Sequence, residues 1–283
     1  MNLQRSSLGV QSVLIRGEKW LSGKISILEV VDLFRVKMSD ARLWKNLIGA
    51  ISTLIDEASF KADNEGVKLR AMDPSHVAMV DFEWTKSIFS EYVCDEPTEL
   101  CVNFSEMLKF FKRVGNDESL DLSFDINNAR LNIVLKSKYT RTFSMATLEP
   151  SSEEVPTPKV TFNTVARMST SSLKNALDDA STVSDQIQFE ADVEKLTMKA
   201  SGNLGTASVD IEKGSEEMLQ LEVKQPSKST FSLNYLVEMV KAASNLSDIV
   251  TIEFSTNMPI RLNFELPQQG KLQYYLAPRI EGS

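Results

Sequence analysis

Histidine is nearly absent from this chain of 283 residues: there is one, His76, beside two cysteines, Cys94 and Cys101. One histidine cannot build a histidine-based metal site and has no clear catalytic partner. Two thiols seven residues apart match no zinc or redox spacing. Each lies in an apolar, strand-like run, and together they read as buried, reduced thiols of a cytosolic protein. The eleven glycines form no phosphate-binding loop pattern. The acids form no cluster at metal-ligand spacing. Asp178-Asp179 resembles a metal pair only in isolation, since adjacent helical residues point about 100° apart. A DNA-processing enzyme is therefore the weaker reading, and no cofactor is implied. No apolar run is long enough to span a bilayer. An excess of positive charge is also missing: the net charge of −8 argues against a general nucleic-acid binder and for basic or apolar partners. What is present is an ordinary globular composition, 42% hydrophobic and 25% charged, long enough for one large or two medium domains.

The most informative stretch is LRAMDPSHVAMVDFEW, Leu69 to Trp84. It reads as two strands around a sharp turn at Asp73-Pro74. Beyond the turn Ala78, Val80, Phe82 and Trp84 share one face, and Val77, Met79, Asp81 and Glu83 share the other. The first set is a core face. The second begins with two apolar residues where polar ones belong. Either it is a docking surface or another part of the chain covers it.

Residues 1–33 carry scattered glycines, a lone Trp20 and a mixed run, and lack the pattern of a signal peptide. They read as an N-terminal extension or a mis-assigned start. From Phe34 the signal sharpens. FRVKMS is a strand, and Asp40 caps a helix from Ala41 to about Ala58 with Leu43, Trp44, Leu47, Ile48, Ile51, Leu54 and Ile55 as its apolar stripe. Strands follow through SFKAD, GVKLRAM, HVAMVDFEW and the Cys101 region. Ser105 caps a second helix carrying Met107, Leu108, Phe110, Phe111 and Val114, ended by Gly115. SLDLSFDI, ARLNIVL and KYTRTFSMA are strands.

The segment TLEPSSEEVPTPK, 147–159, breaks every pattern and reads as an extended linker. The second half then repeats the first. A strand leads to a helix starting at Ser171 or Ser172, strands follow, a helix is capped by Asn234, and closing strands end in KLQYYLAPRI. A repeat this long means duplicated domains, 34–146 and 160–283, each with two helices and about eight strands. The fold class is α+β, with the helices on one face of antiparallel sheets. The four helix windows are together slightly basic on an acidic chain, so their exposed face can lie along a phosphate backbone without gripping it. If KYTRTFSMA and TASVDIE are sheet edges, one can pair with the other in a neighbouring copy, head to tail, closing a ring.

The motifs LIDEASF (Leu54–Phe60), LRAMDPSHVAMVD (Leu69–Asp81), VNFSEMLKFFKRV (Val102–Val114) and YYLAPRIE (Tyr274–Glu281) resemble those of the PCNA-type DNA sliding clamps, the archaeal ones above all. The resemblance covers everything from Phe34 onward. It implies a trimeric ring, lined by helices, through which duplex DNA threads. It implies a non-enzymatic tether for replicative polymerase, flap endonuclease and ligase, opened and closed by a clamp loader. It places the chain in the cytoplasm, on the nucleoid, with no membrane partner. Carried over residue by residue, it makes Lys45, Lys109, Lys112, Arg113, Lys174 and Lys241 phosphate neighbours. Asp178 weakens that role on the third helix. It assigns a partner pocket to His76, Val77, Met79, Leu148, Val155, Pro156, Pro259, Tyr275, Leu276, Ala277 and Pro278, which takes a short motif of a glutamine, an aliphatic plug and paired aromatics. It assigns contacts between copies to Lys109, Arg113, Arg141, Phe143, Met145, Ala207 and Val209. A mixed ring or a checkpoint clamp is the alternative within the same family. Alignment of the first helix sets the family's initiator methionine at Leu33, which makes residues 1–32 upstream sequence.

Overall fold

Residues 34–150, 155–156 and 158–279 are described by the computed structural model. The expectations for residues 1–33, for part of the linker and for the last residues lie outside them. In the first half the order is β1 (Phe34–Met38), α1 (Ala41–Ser52), β2 (Glu57–Ala62), β3 (Gly66–Met72), β4 (Ala78–Thr85), β5 (Glu91–Cys94), β6 (Thr98–Asn103), α2 (Phe104–Phe111), β7 (Ser119–Asp125), β8 (Arg130–Lys136) and β9 (Thr140–Ala146). The second half runs β10 (Thr164–Ser169), α3 (Thr170–Ser181), β11 (Gln186–Ala191), β12 (Lys195–Gly202), β13 (Gly205–Glu212), β14 (Met218–Val223), β15 (Ser227–Ser232), α4 (Leu233–Ala243), β16 (Ile249–Phe254), β17 (Ile260–Leu266) and β18 (Gly270–Leu276). The succession is the same, element for element, with nine strands per half rather than eight. Thus β1 to β9 correspond to β10 to β18, and α1 and α2 to α3 and α4.

All three sheets are antiparallel. One runs β5-β1-β7-β8-β9, one β13-β12-β11-β15, and the third, of nine strands, β14-β10-β16-β17-β18-β4-β3-β2-β6. The long sheet crosses from one half to the other where β18 pairs with β4, Leu272 opposite Phe82 and Tyr274 opposite Val80. No helix among the described residues is long and apolar enough to cross a membrane.

The helices start earlier than the sequence suggests. Asp40 caps α1 as expected, accepting the Arg42 N–H at 2.9 Å. For α2 the cap is Asn103, which accepts from the Glu106 N–H, and for α3 it is Ser169, which accepts from Ser172. Ser232, without a side-chain bond, precedes α4. Ser105, Ser171, Ser172 and Asn234 lie inside their helices. In each case the strand passes into the helix with no loop between, so the last strand residue caps it. Two ends also differ. Helix α1 stops at Ser52, while Leu54 and Ile55 stay buried at 9% and 4% exposure: their spacing reported burial, not helix. Helix α2 stops at Phe111, short of Gly115.

The helices bury their apolar stripes against the sheets and form one row, α2 on α1, α1 on α4, α4 on α3. Aromatic rings fill the first core: Trp44 and Phe60 at 5.4 Å, Phe60 and Phe104 at 5.7 Å, Phe82 and Trp84 at 5.2 Å. Phe189 repeats the role of Phe60 in the second half, against Phe231 and Phe254. Two of the hydrogen bonds that tie the halves together involve α1. Tyr274 of β18 donates to the Ala50 carbonyl at 2.9 Å, one of the carbonyls that the last turn of α1 leaves open. Asn46 of α1 donates to the Asn245 carbonyl beyond α4 at 3.1 Å. Of the two thiols, Cys101 is buried, whereas Cys94 is only half-buried because β5 is a sheet edge.

Candidate partner pocket and helix-lined face

One carboxylate builds the turn between β3 and β4. Asp73, 4% exposed, accepts the N–H groups of Ser75 at 3.1 Å, Val77 at 2.9 Å and Ala78 at 2.7 Å, and the hydroxyl of Tyr235 in α4 at 2.9 Å. Burial pushes this carboxyl up, but the four donors outweigh it and hold it below the usual aspartate range. The anchored turn keeps His76 at a φ of 57°, a left-handed conformation that is costly for a residue with a side chain. His76 and Val77 stand exposed at its tip.

The end of β18 runs alongside. The Ala277 N–H donates to the Val77 carbonyl at 2.8 Å, and Tyr275 faces Met79. Across the outer face a ladder of side chains runs in register from Glu253 through Arg261, Tyr275 and Met79 to Met72. Met79 is 4% exposed, so the chain covers it, and Val77 at 38% is the open member of the pair. His76, Val155 and Pro156 meet around a cavity of about 680 Å³ that also touches Met72, Asp73 and Pro74. Pro259, Ala277 and Pro278 are half-buried nearby: Pro259 precedes Ile260, which pairs with Leu276. Tyr275, like Met79, is nearly covered, at 7% exposure, and two assigned residues do not join at all. Leu276 is 2% exposed on the core face, the opposite side of β18 from Tyr275. Leu148 donates its N–H to the Cys101 carbonyl at the β6 edge, with β3 and β2 between it and β4. Sequence reasoning missed Met72, Asp73, Phe162, Tyr235 and Arg261. Their roles depend on partners far along the chain, for which period-two alternation carries no signal.

Lys109 and Lys241 on the helical row are exposed, as are Lys112 and Arg113 just past the end of α2, while Lys45 and Lys174 are half-buried. Two of the six are already partnered: Lys109 with Glu106 at 2.6 Å, and Lys174 with Asp178 at 2.7 Å. Such solvent-facing pairs are weak, about 1 kcal/mol or less, but they lower the charge offered outward. The row is a mildly basic, polar surface suited to a passing polyanion rather than to a gripped one.

Strands β9 and β13 are both free edges, at the ends of the five-stranded and four-stranded sheets. On β9, Phe143 stacks on Phe110 of α2 with ring centroids 5.0 Å apart, and Arg141 pairs with Glu118. Met145, at 7% exposure, belongs to the core rather than to an open surface. On β13, Ala207 and Val209 are half-buried beside α3.

Residues 33–153 match the family model described as the N-terminal domain of proliferating cell nuclear antigen, and residues 156–279 match its C-terminal domain. Among similar proteins is DNA polymerase sliding clamp 1 of Pyrobaculum aerophilum, 38% identical, with 86% of this chain and 96% of the relative covered. Another is the DNA polymerase sliding clamp of Nitrosopumilus maritimus, 35% identical over 88% of this chain and 99% of the relative. The crystal structure of PCNA from Thermococcus kodakaraensis superposes with a TM-score of 0.82 at 28% identity, over 87% of this chain and all of that one.

Proposed function

The chain belongs to the proliferating cell nuclear antigen family, and on that premise we propose that it is a DNA polymerase sliding clamp whose copies close head to tail into a trimeric ring around duplex DNA. It is a non-catalytic processivity factor. Two duplicated domains, 34–146 and 160–283, are joined by the linker 147–159, and the row of helices faces the DNA.

The observation that carries the reading is the junction between the halves. There β18, the last strand of the second half, pairs with β4 of the first. Their counterparts under the duplication are β9 and β13, each of which stands as the free end strand of its own sheet. Pairing β9 of one copy with β13 of the next repeats the internal junction. The register transfers as well. Arg141 pairs with Leu135 as Leu272 pairs with Phe264, and Val209 pairs with Met198 as Phe82 pairs with Leu69. Leu272 opposite Phe82 thus becomes Arg141 opposite Val209 of the neighbour. Phe143 then meets Ala207, and Met145 meets Gly205. A heterologous junction of this kind closes a ring when its rotation permits.

Inside the ring Lys45, Lys109, Lys112, Arg113, Lys174 and Lys241 pass close to phosphates. Their modest net charge suits a protein held by topology, since tight contacts would stall sliding. The pocket around Val77, Tyr275 and the linker takes short glutamine and aromatic motifs of replicative polymerase, clamp loader, flap endonuclease and DNA ligase. The protein acts on the nucleoid in the cytoplasm.

Light scattering across a dilution series tests the ring. A mass three times that of the monomer is expected, and a persistent monomer at high concentration would overturn the self-closing ring. Ser144→Pro sharpens the test. The Thr147 N–H donates inward to Ala129, so by alternation the Ser144 N–H points to the free edge. Proline there leaves the internal ladder whole and is expected to yield folded monomers.

A further inference from the structure

Arg261 of β17 stands on the outer face between Glu253 of β16 and Tyr275 of β18. Its Nε and Nη2 donate to the two Glu253 carboxylate oxygens, at 2.5 and 2.6 Å. Its Nη1 donates to the Tyr275 hydroxyl at 3.3 Å. The guanidinium carbon lies 4.9 Å from the centre of the Phe162 ring and 5.8 Å from that of Tyr275. Phe162 is the first buried residue after the linker, at 6% exposure. One side chain therefore touches both Tyr275, which faces Met79 and is itself 7% exposed, and the point where the linker rejoins the second half.

We propose that Arg261 is a positioning residue of the partner pocket, fixing the Tyr275 ring from behind and pinning the exit of the linker through Phe162. This rests on the pocket reading above and adds a residue which that reading does not contain. The chemistry calls for arginine. Two donors of the planar fork are used on the carboxylate, a third remains for the phenol, and the flat faces stay open to the rings. Lysine offers a point charge with no face to stack. Glu253, its side chain 14% exposed, neutralises the guanidinium, so no bare charge is left against the rings. The Tyr275 hydroxyl, at 3.4 Å from Gln273 Oε1, has a place for its proton as well. A ring held at both its face and its hydroxyl needs no further ordering where its small exposed part, 7% of the residue, meets an aromatic partner, and ordering is a main cost of binding. Because Val155 and Pro156 stand over the adjoining cavity, the same pin sets where the linker returns from it.

Fluorescence polarisation with a labelled synthetic peptide tests this. The probe carries a glutamine, an aliphatic plug and two aromatics; two further probes have one aromatic or the other changed to alanine. If the unaltered protein does not bind the first probe, the pocket reading falls and the inference falls with it. If it binds, Arg261→Ala and Arg261→Lys are each expected to weaken the two-aromatic probe about tenfold. The loss should shrink for the probe that lacks the ring meeting Tyr275. Unchanged affinity in Arg261→Ala, or an equal loss on all three probes, overturns the proposal, the second because uniform loss marks general loosening. Should Arg261→Ala fail to fold in a thermal melt, Tyr275→Phe removes only the hydroxyl that Arg261 holds. It is expected to weaken the two-aromatic probe about two- to threefold, and no loss there overturns the proposal.

Discussion

The hydroxyl of Tyr235, in a helix of the second half, donates a 2.9 Å hydrogen bond to the carboxylate of Asp73, in a turn of the first. The bond joins a helix of the helical row to the loop that carries His76 and Val77. Tyr235→Phe deletes it and leaves the three backbone donors on Asp73 in place. The expected cost is about 1 kcal/mol of stability, read by denaturant unfolding. Peptide affinity should fall as well, because the Val77 tip loses one of its supports. Asp73→Asn takes the charge from all four bonds and is expected to cost about 3 kcal/mol.

Acid sensitivity follows from the same carboxylate. Asp73 and Asp121 both sit below their ordinary value of 3.8 in the folded chain. For each, burial pushes upward; on Asp73 the Ala78 N–H, the Tyr235 hydroxyl and the other backbone donors outweigh it, and on Asp121 the Arg35 guanidinium does. A depressed folded pKa means a stability contribution that is present above pH 3.8 and lost as pH falls through the lower folded value. Unfolding free energy measured between pH 6 and pH 3 should therefore be steady at first and drop below about pH 4. In Asp73→Asn the drop should be shallower.

Gly270 opens β18 against Trp84. A Cβ built there would lie 2.2 Å from the indole Cδ1, too close for any side chain. Trp84 is fully buried among Trp44, Phe82 and Phe89, and cannot step aside. Gly270→Ala is expected to destabilise the protein by about 1–3 kcal/mol. A thermal melt checks it, since a strand start with spare room would show no shift.

Charge reversal on the helical row separates steering from holding. Lys112 and Arg113 are exposed, and neither has an ion pair among the described residues. Lys112→Glu with Arg113→Glu should weaken association with short linear duplexes and flatten its salt dependence, by about one unit of slope for each phosphate no longer neutralised. Retention on closed circular DNA, once loaded, should change little. An unchanged salt slope would remove these two residues from the DNA-facing set.

Most of the strands were legible because one side of each is buried, and alternation reports that directly. Strand β15 was not: its inward residues begin Ser227 and Ser229, 3% and 2% exposed, and serines leave no apolar signature. Strand β5 showed only as the strand-like run at Cys94, without alternation, since all its residues are half-buried. Caps were misplaced wherever a strand ran straight into a helix, because no loop marks the boundary there. The pocket was half legible. Val77 showed itself as an apolar residue on a polar face, whereas Arg261 reads in sequence as a solvent-facing strand residue. Its meaning comes from Phe162 and Tyr275, which only the sheet brings to it.

The junction between β18 and β4 is closed by large apolar residues, Leu272 against Phe82 and Tyr274 against Val80, all of them fully buried. In the proposed ring, its counterpart between copies sets Arg141 against Val209, Phe143 against Ala207 and Met145 against Gly205. Less apolar surface meets there, and one charged side chain intrudes. The proposed circle is thus unevenly fastened, welded inside each chain and latched between chains. A force on such a circle is expected to find the latch first, so that duplex DNA is admitted while every subunit stays folded.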